Sequence, residues 1–197
     1  GFALYLIVFN IGLRTITAAT SSIIIATTPI MTAATASILY GEKISKIGIL
    51  SIISAFCGVL IIILWKGIFS VNIGILWTMS AAVFFCGYNI LSRKLAKMGY
   101  TSIEIVTYSM ICAAIILSPF GIEGYKELVS ADFKYIGSLL YLGIFTSALG
   151  YFFFNKGIEI AEKTSDVTNF IFVNPLIASL LSYLALGETL NAGTAIG

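Results

Sequence analysis

Six apolar runs, each 18 to 25 residues long, dictate what this chain can become: 16–40, 47–65, 73–91, 103–120, 135–154 and 167–186. A helix rising about 1.5 Å per residue crosses a hydrocarbon core about 30 Å thick in roughly 20 residues. Barrel strands would be about half as long and would alternate in polarity. With 59% hydrophobic and 10% charged residues and a mean hydropathy of +1.04, too little polar surface exists to coat a soluble globule. These features predict an all-α, polytopic transmembrane helical bundle. Two shorter runs, at 2–13 and from Leu190 onward, are too short to span, so the chain is expected to be cut inside a span at each end. Gly1 in place of an initiator Met agrees with that expectation. The opening run lacks the basic start and small-residue cleavage site of a signal peptide.

Sorting Lys and Arg by alternating loops places Arg14, Lys66, Lys126 and Lys134 on one face of the membrane. The other face receives Lys43, Lys46, Arg93, Lys94, Lys97, Lys156 and Lys163. The richer face is expected to be cytoplasmic, with the loops containing Lys43, Arg93 and Lys156 inside. The net charge of +2 carries no indication of a nucleic-acid partner.

A pattern recurs on this apolar background. PIMTAATASILYGEK begins at Pro29 and PLIASLLSYLALGET at Pro175, and in both the proline precedes a Gly-Glu pair by the same spacing, Gly41-Glu42 and Gly187-Glu188. A shorter echo precedes each copy, Phe9-Asn10-x-Gly12 and Phe154-Asn155-x-Gly157. Five crossings separate the copies, and an odd number inverts the second. This predicts inverted repeats related by an axis in the membrane plane.

Two helices with a mid-span proline ending in Gly-Glu, each followed by a helix with a central glycine, resemble the drug/metabolite transporter superfamily, EamA type. TMSAAVFFCGYNILSRKL resembles the opening helix of a repeat in that family. The resemblance implies a ten-helix carrier with two inverted five-helix repeats, of which about seven to eight helices are present. On it, residues 1–66 form the C-terminal part of the first repeat (helices 3 to 5). Residues 72–197 form the second (helices 6 to 10, the last truncated). It further implies a secondary transporter of amino acids, other metabolites or toxic compounds, exporting them across the cytoplasmic membrane by alternating access, with no cofactor.

The residues themselves nominate a cavity. Thr17, Thr20, Ser21, Thr28, Thr32 and Thr35 fall within about 120° of one another at 100° per residue. Such a stripe either lines an aqueous path or bonds neighbouring helices and its own carbonyls. Pro29 and Pro175 lack an N–H and displace the carbonyls of Ile25 and Ile171, which then serve a solute or merely mark a kink. Buried amides are costly to leave unpaired, so Asn89, Asn155, Asn169 and Asn174 should face protein or water. Trp77 and Tyr88 lie near one helical face and are either cavity wall or packing. Ser54 with Gly58, Ala178 with Ser182, and Gly143 with Gly150 are expected to allow close helix contact. Gly41 and Gly187 read as left-handed caps. Glu42 and Glu188 then act on the start of the helix that follows, or alternatively gate each mouth.

Absences narrow the chemistry. Without histidine there is no His-based acid-base catalysis or His metal ligation, and Cys57, Cys86 and Cys112 lack metal-ligand spacing. No Gly-rich phosphate loop appears, and no ionisable group sits mid-span in a complete run. Asp166, near a span end, reads as a helix-start charge. The sequence therefore predicts no enzyme and no metal, but a small-molecule substrate and a lipid bilayer, and leaves open a coupling proton, a counter-substrate or facilitated diffusion. The rival reading is a channel-like or sensor scaffold without carrier activity.

Overall fold

The computed structural model describes residues 1–16, 21, 24–44, 46, 48–50, 52–54, 56–57, 73–121, 124, 132–174 and 177. Expectations for Thr17, Thr20, Gly58, Pro175, Ala178, Ser182, Gly187 and Glu188 lie outside them. Among the described residues every regular element is helical: α1 (Phe2–Leu13), α2 (Thr28–Tyr40), α3 (Ile73–Lys97) and α4 (Ser102–Leu117), the last continued by a 3-10 turn at Ser118–Phe120. Next come α5 (Phe133–Tyr141), a π-helical stretch at Leu142–Leu149, α6 (Gly150–Ile160), and α7 (Thr164–Thr168) with a 3-10 turn at Asn169–Phe172. Among the described residues, three helical segments are long and apolar enough to cross a bilayer: Ile73–Lys97, Ser102–Phe120 and Tyr135–Ile160. The fold is an all-α transmembrane bundle.

Helix limits follow local chemistry. Helix α3 runs past the apolar stretch ending at Leu91, because Lys94 and Lys97 in its last turn complement the negative end of the helix dipole. Arg93, expected in a loop, is therefore helical. Gly99, at φ 93°, then turns the chain, as few residues with a Cβ would. A capping box opens α4: the Thr101 N–H donates to Glu104 Oε2 at 2.8 Å.

The run at 16–40 is not one kinked helix. Pro29 occupies the first turn of α2, after a turn at Ala26 and Thr27, where its missing N–H costs nothing. The chain breaks there, and the Thr27 hydroxyl returns to the Ile24 carbonyl at 2.6 Å. Helix α2 ends as expected at Gly41, at φ 66°, whose N–H donates to the Ser37 carbonyl.

Helix α3 is the hub, packed on α1, α2 and α6, while α4 meets α1 and α6 and α7 meets α2. The α1–α3 crossing is set by glycines. A Cβ on Gly12 would stand 3.1 Å from the Gly74 carbonyl and would strike the Thr78 hydroxyl, and one on Gly74 would stand 2.9 Å from the Gly12 carbonyl. Among the described residues, by contrast, no neighbouring helix stands against Gly143 or Gly150, which lie in or beside the exposed π stretch. Ile111, Ile115, Leu139 and Phe153 are more than half exposed, the inverse of a water-soluble core and the arrangement lipid favours.

Candidate functional site

Two faces of α3, about 100° apart round the helix, organise the buried polar groups. On the first, Phe85 and Tyr88 join Phe2, Ala3, Ala113 and Ile171 in the main apolar cluster, flanked by Tyr5, Tyr151 and Phe154. Phe2 meets Tyr151 edge-on at a centroid distance of 4.7 Å, and Tyr5 stacks on Phe85 at 4.9 Å. Into this aromatic wall α6 projects Asn155, 1% exposed. Its Nδ2 donates to the Tyr88 hydroxyl at 2.7 Å and to the Tyr151 carbonyl at 2.8 Å. Its Oδ1 has no hydrogen-bond partner among the described residues.

The second face looks toward α2. Asn89, fully buried, donates from Nδ2 to the Thr32 hydroxyl at 3.4 Å. The Oδ1 of Asn89 and the hydroxyls of Ser21 and Thr28 are buried without partners among the described residues. An unmet buried polar group carries a desolvation cost of about 1–3 kcal/mol. Groups held in that condition have hydrogen-bonding capacity left for water or a solute. The Asn169 Oδ1 is in the same condition.

One turn beyond Asn89 stands Arg93, 6% exposed. Its Nη1 donates to the carbonyls of Ile158 and Ala161, each at 2.7 Å, and its Nη2 donates to the Glu162 carbonyl. Those acceptors lie at the end of α6, where helices leave carbonyls unpaired. The Arg93 Nε lies 3.6 Å from Glu42 Oε1. Glu42 in turn accepts from the Thr164 N–H at 2.8 Å and the Thr164 hydroxyl at 2.9 Å. Glu42 thus caps α7, far along the chain. A left-handed Gly41 turns the chain back so that its carboxylate reaches across the bundle.

Of the residues nominated from sequence, the structure brings Tyr88 to Asn155, and places Thr28, Thr32 and Ser21 among the buried polar groups. It separates Trp77 from Tyr88: Trp77 is 40% exposed and Tyr88 5%, because α3 keeps small residues rather than indole against α1. Asn174 is exposed. Pro29 is buried at the helix break. In the sequence Arg93 marks sidedness, and its four-residue spacing from Asn89 is the signal that both share a helical face.

The EamA-like transporter family matches residues 1–64 and 72–197. The chain is 28% identical over 200 residues to an uncharacterized transporter of Archaeoglobus fulgidus, covering 100% of this chain and 70% of that protein. It is 25% identical over 189 residues to a probable terminal-alkyne amino-acid exporter of Streptantibioticus cattleyicolor, covering 95% of this chain and 63% of that one. The chain spans 60% to 70% of the length of these and similar relatives. A solved crystal structure of 16% identity matches it with a TM-score of 0.81, covering 100% of this chain and 70% of that one, a likeness of fold.

Proposed function

The chain belongs to the EamA-like transporter family, and from that premise we propose that it is part of a secondary transporter exporting a small neutral or zwitterionic organic solute by alternating access. Residues 1–66 are the C-terminal part of a first five-helix repeat, residues 72–197 belong to an inverted second one, and the solute is held between the two repeats. Tyr88, Asn155, Thr28, Thr32 and Ser21 contact it, joined by Asn89; Asn169 and Thr20 border the same path. Pro29 stands at the helix break beside it. The protein resides in the cytoplasmic membrane with the Lys43 and Lys156 ends inside, and a proton or counter-substrate drives export.

The observation that carries this reading is the pairing of Tyr88 with Asn155 beside an unpartnered amide oxygen in an aromatic wall. An acceptor set in apolar surroundings, with only amides and hydroxyls near it among the described residues, suits a neutral or zwitterionic solute and penalises a dianion. The printed name of the Streptantibioticus cattleyicolor relative, an amino-acid exporter, supports an amino-acid-like cargo. Counterflow into proteoliposomes holding the full-length protein tests it. Saturable exchange of neutral amino acids is expected, falling at least tenfold in Asn155→Leu; a pore-like, non-saturable flux or a preference for dianions would overturn it.

A further inference from the structure

We propose that the Glu42–Arg93 pair is a latch between the two family-matched segments, closing one end of the bundle and breaking when that end opens. The proposal rests on the transporter reading above. Glu42 lies in the first matched segment; Arg93 and Thr164 lie in the second.

Four chain segments meet at this latch: the ends of α2, α3 and α6 and the start of α7. The Arg93 and Glu42 side chains are 7% and 8% exposed, so the pair is sealed from water. Arg93 is tied by its two terminal nitrogens to the end of α6, and this anchor lies wholly within the second segment. Only the Nε contact crosses to Glu42, and at 3.6 Å it is longer than a hydrogen bond. Correspondingly, Nε makes no hydrogen bond among the described residues. Glu42 is held by Thr164, whose two hydrogen bonds to the carboxylate also cross between the segments, so the charge pair is the longest of the contacts that meet at Glu42. Carrier halves that close one end through such contacts must part them to open it.

Both partners keep company after separation. Arg93 retains three carbonyls, and Glu42, once the end is open, meets water instead of a dry interior. Removing a charge while the end stays shut is different, because the remaining ion is left buried and uncompensated. Loss of either charge should therefore shift the population toward the open end, where the survivor is hydrated.

The test measures entry of water-borne reagent at this end. In full-length protein held in nanodiscs, with Cys57, Cys86 and Cys112 replaced by serine, Ser165→Cys places a thiol at a position now 6% exposed, beside Thr164. A charged, membrane-impermeant maleimide reports its accessibility. Glu42→Gln keeps an oxygen to accept from Thr164 but loses the charge, which separates latching from helix capping. It is expected to raise the labelling rate about tenfold. Arg93→Gln should do likewise, and the double variant should gain no more than either alone, since both remove one contact. If Arg93→Gln fails to fold, Glu42→Gln decides alone. An unchanged rate in Glu42→Gln, or additive gains in the double variant, would overturn the latch. Labelling needs no solute, so an unchanged rate with intact counterflow sinks the latch only. A raised rate without counterflow sinks the transporter reading only.

Discussion

Two stretches of α3 are built to opposite specifications. Toward α1 the backbones approach at Gly12 and Gly74, and the Thr78 hydroxyl bonds its own helix at the Gly74 carbonyl, 2.9 Å away. Within lipid there is little hydrophobic force between helices, so close van der Waals contact of this kind is what binds them. Toward α2 the same helix presents Asn89, with an unmet acceptor, and Arg93, in a long ion pair. The stretch at Gly74 and Thr78 holds the bundle together; the stretch from Tyr88 to Arg93 keeps polar capacity in reserve. The difference shows that a single helix can serve as scaffold and as a wall of the site, provided the two roles occupy separate stretches of it.

The largest effect expected is at Arg93. Arg93→Met leaves Glu42 buried and three carbonyls unmet, and should lower unfolding stability in detergent micelles by about 3–5 kcal/mol. A loss under about 1 kcal/mol would mean that this end is already hydrated and the face is not sealed as described. Next comes Gly74→Leu, which forces side-chain atoms into the α1 backbone and should cost about 1–3 kcal/mol or part the two helices. Thermal unfolding matching the parent protein would show that the crossing is loose, and the contrast between the two stretches would collapse. The smallest stability change belongs to Asn89→Leu. Exchanging an incompletely bonded buried amide for a similar apolar volume should alter stability by no more than about 1 kcal/mol. Counterflow should nevertheless fall about tenfold, and parent-like flux would remove Asn89 from the site.

The readable part of this molecule was its partition into membrane helices. Phe2–Leu13 is helical across its whole apolar run, and α4 opens within a residue of its expected start. Hydropathy, however, reports the solvent a residue prefers, and a helix does not stop where the bilayer does. Helix α3 therefore reaches Lys97 and α6 reaches Ile160, both beyond their apolar runs. At Pro29 the apolar run continues while the helix does not. Among the candidate site residues, burial of Tyr88 and Asn155 was foreseeable from the price of exposing such groups to lipid. Their union was not, since they stand 67 residues apart.

From its order of residues alone this chain is committed to a membrane, to helices and to the left-handed turn at Gly41, because solvation and backbone sterics act locally and need no partner to operate. Which polar groups meet was decided by tertiary structure. Glycines 12 and 74 set how near α1 comes to α3. The reversal after α2 carries Glu42 across to Arg93 and Thr164. Such encounters depend on helix rotation and spacing, quantities that arise only when distant segments pack.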